Sequence, residues 1–120
     1  MFRFEELEIW RLAIEYGNFI YDVSEKFPVT EKYNLTDQIK RAALSISSNI
    51  AEGSATSTVK NFCSFLDISL GSVFETVNIL CFAQKRGYIL EQDRLKYYQT
   101  AELLVKKIRA FKRSLKEDKQ

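Results

Sequence analysis

The chain contains no histidine, which removes the commonest general base and the commonest transition-metal ligand of proteins. It has one proline and four glycines, and the glycines stand singly, so there is no glycine-rich loop to cradle a phosphate. Its two cysteines, Cys63 and Cys81, fall eighteen residues apart in one helical segment, a separation of roughly 27 Å at 1.5 Å per residue. They cannot bridge each other, and two distant thiols make no zinc site. The Glu-x-x-His elements of metal-binding bundles are absent too, so no metal and no cofactor is expected. No segment approaches the ~20 apolar residues needed to cross a bilayer. The N-terminal MFRFEELEIW carries acids where a secretory signal has a basic stretch before an apolar run. The expectation is a cytoplasmic protein that does not enter membranes, its thiols small core residues in a reducing compartment.

What is present is mostly helical pattern. With 120 residues, 46% of them hydrophobic and 28% charged, the chain suits one folded domain over residues 1–120 rather than a disordered segment. Ile9, Ala13, Tyr16, Ile20, Val23 and Phe27 recur at steps of three and four, and Leu7, Trp10, Ile14, Gly17, Tyr21 and Ser24 form a second stripe beside them. The first helix therefore has a wide apolar face, and it should end at Phe27, ahead of Pro28. Thr36 is a plausible N-cap for a second helix through Ile39, Ala43, Ile46 and Ile50, with Gly53 as its stop. After the polar loop Ser54 to Thr58, a third helix runs from about Val59 to Arg86 on Phe62, Leu66, Ser69, Val73, Thr76, Leu80 and Ala83. A fourth starts near Glu91 and carries Tyr97, Ala101, Leu104, Ile108, Phe111 and Leu115 on one face. No strand-period segment or internal repeat competes with this reading. Four amphipathic helices with short links predict an all-α fold, an antiparallel up-and-down four-helix bundle.

Phe65, Ile68, Ser72, Glu75, Ile79 and Phe82 are also spaced at three and four, which seats a serine and a carboxylate within an apolar seam. Polar groups buried in such a seam must be paired. Ala42, Ala43, Ser45, Ser47 and Ser48 narrow one side of the second helix, and Gly71 narrows the third, so the two can approach closely. The expectation is a structural polar network of Arg41, Ser45, Asn49, Ser72 and Glu75, in which Glu75 accepts hydrogen bonds from the second helix with Arg41, Asn49 or Ser45 as the candidate donors. In that reading Glu75→Ala costs about 1 to 3 kcal/mol. A hydrolase built on Ser72 and Glu75 would lack an imidazole or lysine base, and the chain reads as a non-enzyme.

The net charge of +2 is unevenly divided. The first 31 residues hold seven acids against three bases, whereas Lys106 to Lys119 holds seven bases against two acids. Lys106, Arg109, Arg113 and Lys116 repeat at three, four and three, which places them on one face of the fourth helix. Such a face binds the phosphates of RNA or DNA weakly, without sequence preference and with strong salt dependence. A solvated face that keeps a bundle soluble explains the same spacing. Few aromatics interleave with these bases, which argues against stacking on single strands. The second functional class is a protein scaffold or docking module, with the wide face of the first helix and Trp10 buried between subunits or against another protein.

The residues Trp10, Ala13, Phe27-Pro28, Glu31, Leu35, Gln38-Ile39, Arg41-Ala42-Ala43 and Ser45-Ile46 precede NIAEG at 49–53. Phe62, Phe65-Leu66, Ile68, Gly71-Ser72, Glu75-Thr76 and Gly87-Tyr88-Ile89 follow it. Together they resemble the four-helix-bundle family of ribosomal RNA intervening-sequence proteins, also labelled ribosomal-protein-like, and the pairing of NIAEG with GSxxET is the most specific part. The resemblance implies a left-handed up-and-down bundle that assembles as a homopentamer around a central channel. It also implies a fold shared with the accessory protein of diversity-generating retroelements, a pentamer thought to engage nucleic acid and a reverse transcriptase. Many relatives that this sequence looks like carry Arg or Lys after the AEG motif, whereas Ser54 to Val59 carries no charge. That departure directs the search for phosphate contacts to the fourth helix.

Overall fold

Each inward stripe becomes the buried side of an α-helix in the computed structural model, which describes residues 1–118. The helices are α1 (Glu8–Ser24), α2 (Leu35–Ser54), α3 (Val59–Lys85) and α4 (Glu91–Asp118), with short 3₁₀ turns at Arg3–Glu6 and Val29–Glu31. α1 packs on α2 and α4, and α3 packs on the same two helices, so the four close into an antiparallel bundle of 49 × 24 × 22 Å. The core holds Ile9, Ala13, Tyr16, Ile20 and Val23 of α1 and Ile39, Ala43, Ile46 and Ile50 of α2. Facing them are Phe62, Leu66, Val73, Leu80 and Ala83 of α3 and Ala101, Leu104 and Ile108 of α4.

Several boundaries differ from the sequence expectation for local reasons. α1 ends at Ser24, whose Oγ donates to the Tyr21 carbonyl at 2.7 Å. The turn then tightens, with the Phe27 amide bonded to the Ser24 carbonyl at 3.0 Å ahead of Pro28. Phe27 stays buried outside the helix, against the Tyr88 ring at 6.1 Å between centroids. α2 opens at Leu35 rather than behind a Thr36 cap. Glu31 supplies a carboxylate there: its Oε1 accepts from the Leu35 amide at 3.4 Å and its Oε2 from the Tyr88 hydroxyl at 2.8 Å. The Tyr88 hydrogen bond above all holds the Glu31 carboxyl below its usual range. Thr58 caps α3 by accepting from the Asn61 amide at 3.1 Å. At its other end Gly87 takes φ of 79°, and the Tyr88 amide closes on the Ala83 carbonyl at 2.9 Å.

Gly53 is no left-handed cap, since α2 continues through it to Ser54. It is buried, and a Cβ built there would stand 2.7 Å from Phe62 Cδ1 and 2.9 Å from Phe65 Cβ. Its missing side chain is what lets the end of α2 cross the start of α3. Deep between α1 and α3, the Tyr16 hydroxyl lies 2.8 Å from Thr76 Oγ1. Thr76 spends its own hydrogen on the Val73 carbonyl at 2.6 Å, so Tyr16 is the donor. Burial pushes the Tyr16 phenol up to about 12.

α3 has the length and apolar composition to cross a membrane, which the sequence expectation of no such segment missed. In this fold it is a core helix of the bundle, with Leu66, Ser69, Val73, Thr76 and Leu80 fully enclosed. Cys63 is buried on α3 and Cys81 half-buried, and both are free thiols.

Candidate nucleic-acid interface

Burial of Ala101, Leu104 and Ile108 fixes how α4 is rotated and therefore where its cations point. Two of them flank the buried stripe and meet acids of neighbouring helices. Lys107 Nζ lies 3.0 Å from Glu8 Oε1 of α1, and Lys112 Nζ lies 2.6 Å from Asp67 Oδ1 of α3. Lys106, Arg109, Arg113 and Lys116 are exposed and make no ion pair among the described residues. The acid-rich first helix and the basic last helix do pack together, yet Lys107 with Glu8 is the one ion pair between them among the described residues. Lys119, which belongs to the basic run of the sequence, lies outside the described residues.

Lys106, Arg109 and Arg113 come together along a groove of about 430 Å³ between α3 and α4. Phe74 and Val77 of α3 form one wall, and Tyr98, Ala101 and Val105 of α4 the other. The Arg109 guanidinium sits 5.8 Å from the Phe74 ring centroid, and that of Arg94 sits 5.8 Å from Tyr98. Lys116 lies apart, beside Lys60 and Lys112 in a second depression of about 370 Å³. Phe74 and Lys60 were not foreseen because both belong to α3. Only the packing of α3 on α4 brings them beside the basic face, and spacing within one helix carries no signal of it.

Behind this surface, α2 and α3 are tied by small polar groups. Ser72 Oγ donates to Ser45 Oγ at 2.9 Å, and Asn49 Nδ2 donates to the Ser45 carbonyl at 2.8 Å and to its Oγ at 2.9 Å. The fully buried Ser69 donates to the Ile46 carbonyl at 2.8 Å. Arg41 and Glu75 are not brought to this cluster. Arg41 Nε binds Asp37 Oδ2 at 2.8 Å one turn back, and Glu75 faces solvent. The physical reason is the rotation of α3. Its buried stripe includes Thr76, which puts Glu75 roughly 100° around the helix and outside. Ile68 and Phe82 of the same expected seam are 52% and 55% exposed, while Ser72 and Ile79 at its inner edge are buried.

The second stripe of α1 has a similar split. Trp10 is half-buried at the edge of the core, its ring 5.0 Å from Phe4. Ile14 and Tyr21 are exposed and, with Gly17, border a shallow groove of about 190 Å³ beside Leu44 of α2, which is 59% exposed.

The molecule is thus an antiparallel four-helix bundle whose last helix carries a cationic face without ion-pair partners among the described residues. Over residues 5–110 the chain matches the family of 23S rRNA-intervening sequence proteins, and it belongs to that family. It is similar in structure to a protein of unknown function of the S23 ribosomal protein family from Bacteroides thetaiotaomicron. The two share 21% identity and a TM-score of 0.77, over 86% of this chain and 96% of that one, a likeness of fold. No curated protein matches the sequence.

Proposed function

We propose that this protein is a non-enzymatic, self-associating bundle that binds the backbone of RNA or DNA through Lys106, Arg109, Arg113 and Lys116. The observation that carries this reading is the sorting of charge on α4. Lys107 and Lys112 are neutralised by neighbouring helices, whereas the four outward cations have no acid partner among the described residues. Cations left free on one face release condensed counterions from a polyphosphate, and self-association multiplies the effect. Binding of labelled duplex RNA and duplex DNA tests it: both should bind in 50 mM salt, and Arg109→Glu with Arg113→Glu should weaken that binding and flatten its salt dependence. Equal affinity of wild type and this double variant would refute the proposal.

A second reading is supported by a separate observation. Leu44, Ile14 and Tyr21 expose contiguous apolar surface along α1 and α2, and surfaces of that kind mark contacts with protein. In this reading the bundle is a scaffold without nucleic-acid affinity, with Trp10 at the contact. Leu44→Glu and Trp10→Ala should then lower the assembly mass measured by light scattering. An unchanged mass in both would remove the self-contact from this face.

A further inference from the structure

We infer that the groove between α3 and α4 seats an unpaired nucleobase of a single-stranded nucleic acid, with the flanking phosphates on Lys106, Arg109 and Arg113. The inference rests on the proposed function and adds which form of nucleic acid the surface takes. A face that binds phosphates alone needs cations and polar donors, not aromatic rings. Here Phe74 is 53% exposed and Tyr98 38% exposed, and both border the groove where the three cations converge. Exposed aromatic rings beside cations, here with the Arg109 guanidinium 5.8 Å from the Phe74 centroid and that of Arg94 5.8 Å from Tyr98, are the combination used by proteins that stack single-stranded bases. The volume of about 430 Å³ falls within the range of small-ligand sites, so it can enclose one base and its sugar. One acid, Glu102, lines the groove against three bases, which leaves it complementary to an anion. In a duplex the base faces are stacked on one another and out of reach of these rings, so single strands are preferred at equal charge.

Phe74→Leu keeps the site apolar and removes the ring face, and the exposure of Phe74 makes the change tolerable to the fold. The probes are a labelled ten-nucleotide oligo(dT), the same length of oligo(U), and an abasic strand of equal charge. Wild type should bind both base-bearing strands about tenfold more tightly than the abasic one. Phe74→Leu and Tyr98→Leu should each lose most of that difference while keeping the salt dependence. Equal binding of intact and abasic strands, with Phe74→Leu neutral and the Arg109 and Arg113 reversals still damaging, overturns this inference and leaves the proposed function standing. No binding of any strand in 20 mM salt overturns both. A fall in assembly mass on Phe74→Leu would mark the groove as a contact between copies and would also overturn it.

Discussion

Two glycines in helices of this bundle should respond to the same substitution with opposite sign. Gly53 in α2 and Gly71 in α3 both have ordinary helical backbone, so replacement by alanine removes the entropic penalty of glycine and gains about 0.5 to 1 kcal/mol at either site. At Gly71 nothing lies within 4 Å of the added methyl, and the gain should be realised. At Gly53 the methyl arrives 2.7 Å from the Phe62 ring and 2.9 Å from Phe65 Cβ. The ring has little room to retreat, because it is 2% exposed, lies edge-on to Phe111 at 5.5 Å, and has the Arg3 guanidinium over it at 5.2 Å. Phe65 Cβ moves only if the α3 backbone moves. Overpacking of this kind costs about 1 to 3 kcal/mol, which leaves Gly53→Ala destabilised by roughly 0.5 to 2 kcal/mol after the gain is subtracted. Urea unfolding at one subunit concentration reads both variants, with an unchanged m-value confirming that stability alone has moved. Thermal midpoints should rise by roughly 2 to 4 °C for Gly71→Ala and fall by a similar or larger amount for Gly53→Ala. A rise for Gly53→Ala equal to that of Gly71→Ala would refute the close approach of α2 and α3 at this point.

Other outcomes follow from the buried polar contacts. Tyr16→Phe removes the donor to Thr76 and should cost about 0.5 to 1.5 kcal/mol in chemical unfolding. The phenol is pushed from 10.0 to about 12 in the folded protein, so its contribution is whole below pH 10 and is lost as pH rises toward 12. Across that window the slope is about 1.4 kcal/mol per pH unit, and Tyr16→Phe should flatten the alkaline unfolding profile by that amount. An unaltered profile would contradict the burial of this group. Glu75→Ala should fall within about 0.5 kcal/mol of wild type, as surface changes do, whereas Ser69→Ala should cost about 0.5 to 1.5 kcal/mol. The reverse order of the two in thermal unfolding would restore Glu75 to the interior.

The buried stripes were legible because each is set by a local period that survives packing. Ile9 to Phe27, Ile39 to Ile50 and Phe62 to Ala83 all lie inside as their spacing requires. What spacing could not decide is the rotation of α3 when two of its sides are apolar. Ile68 and Phe82 extend a seam on paper, but the bundle buries the neighbouring stripe and leaves them outside with Glu75. The role of Gly53 depends on a neighbour nine residues on, Phe62, and so reads from sequence as an ordinary helix stop. Likewise the four cations of α4 were visible as one face, while their division by ion pairing and the arrival of Phe74 beside Arg109 come from other helices. Periodicity names the faces of a helix; tertiary packing chooses which of them meet.

In the proposed function the outward cations of α4, without acid partners among the described residues, bind a polyphosphate, and the slope of log affinity against log salt for a duplex counts the contacts they make. Four phosphate contacts predict a slope of about −3.6 or steeper for wild type, and reversal of Arg109 and Arg113 should remove roughly half of it. A slope near zero, or no binding from 20 mM salt upward, would contradict the account and leave the bundle as a protein scaffold.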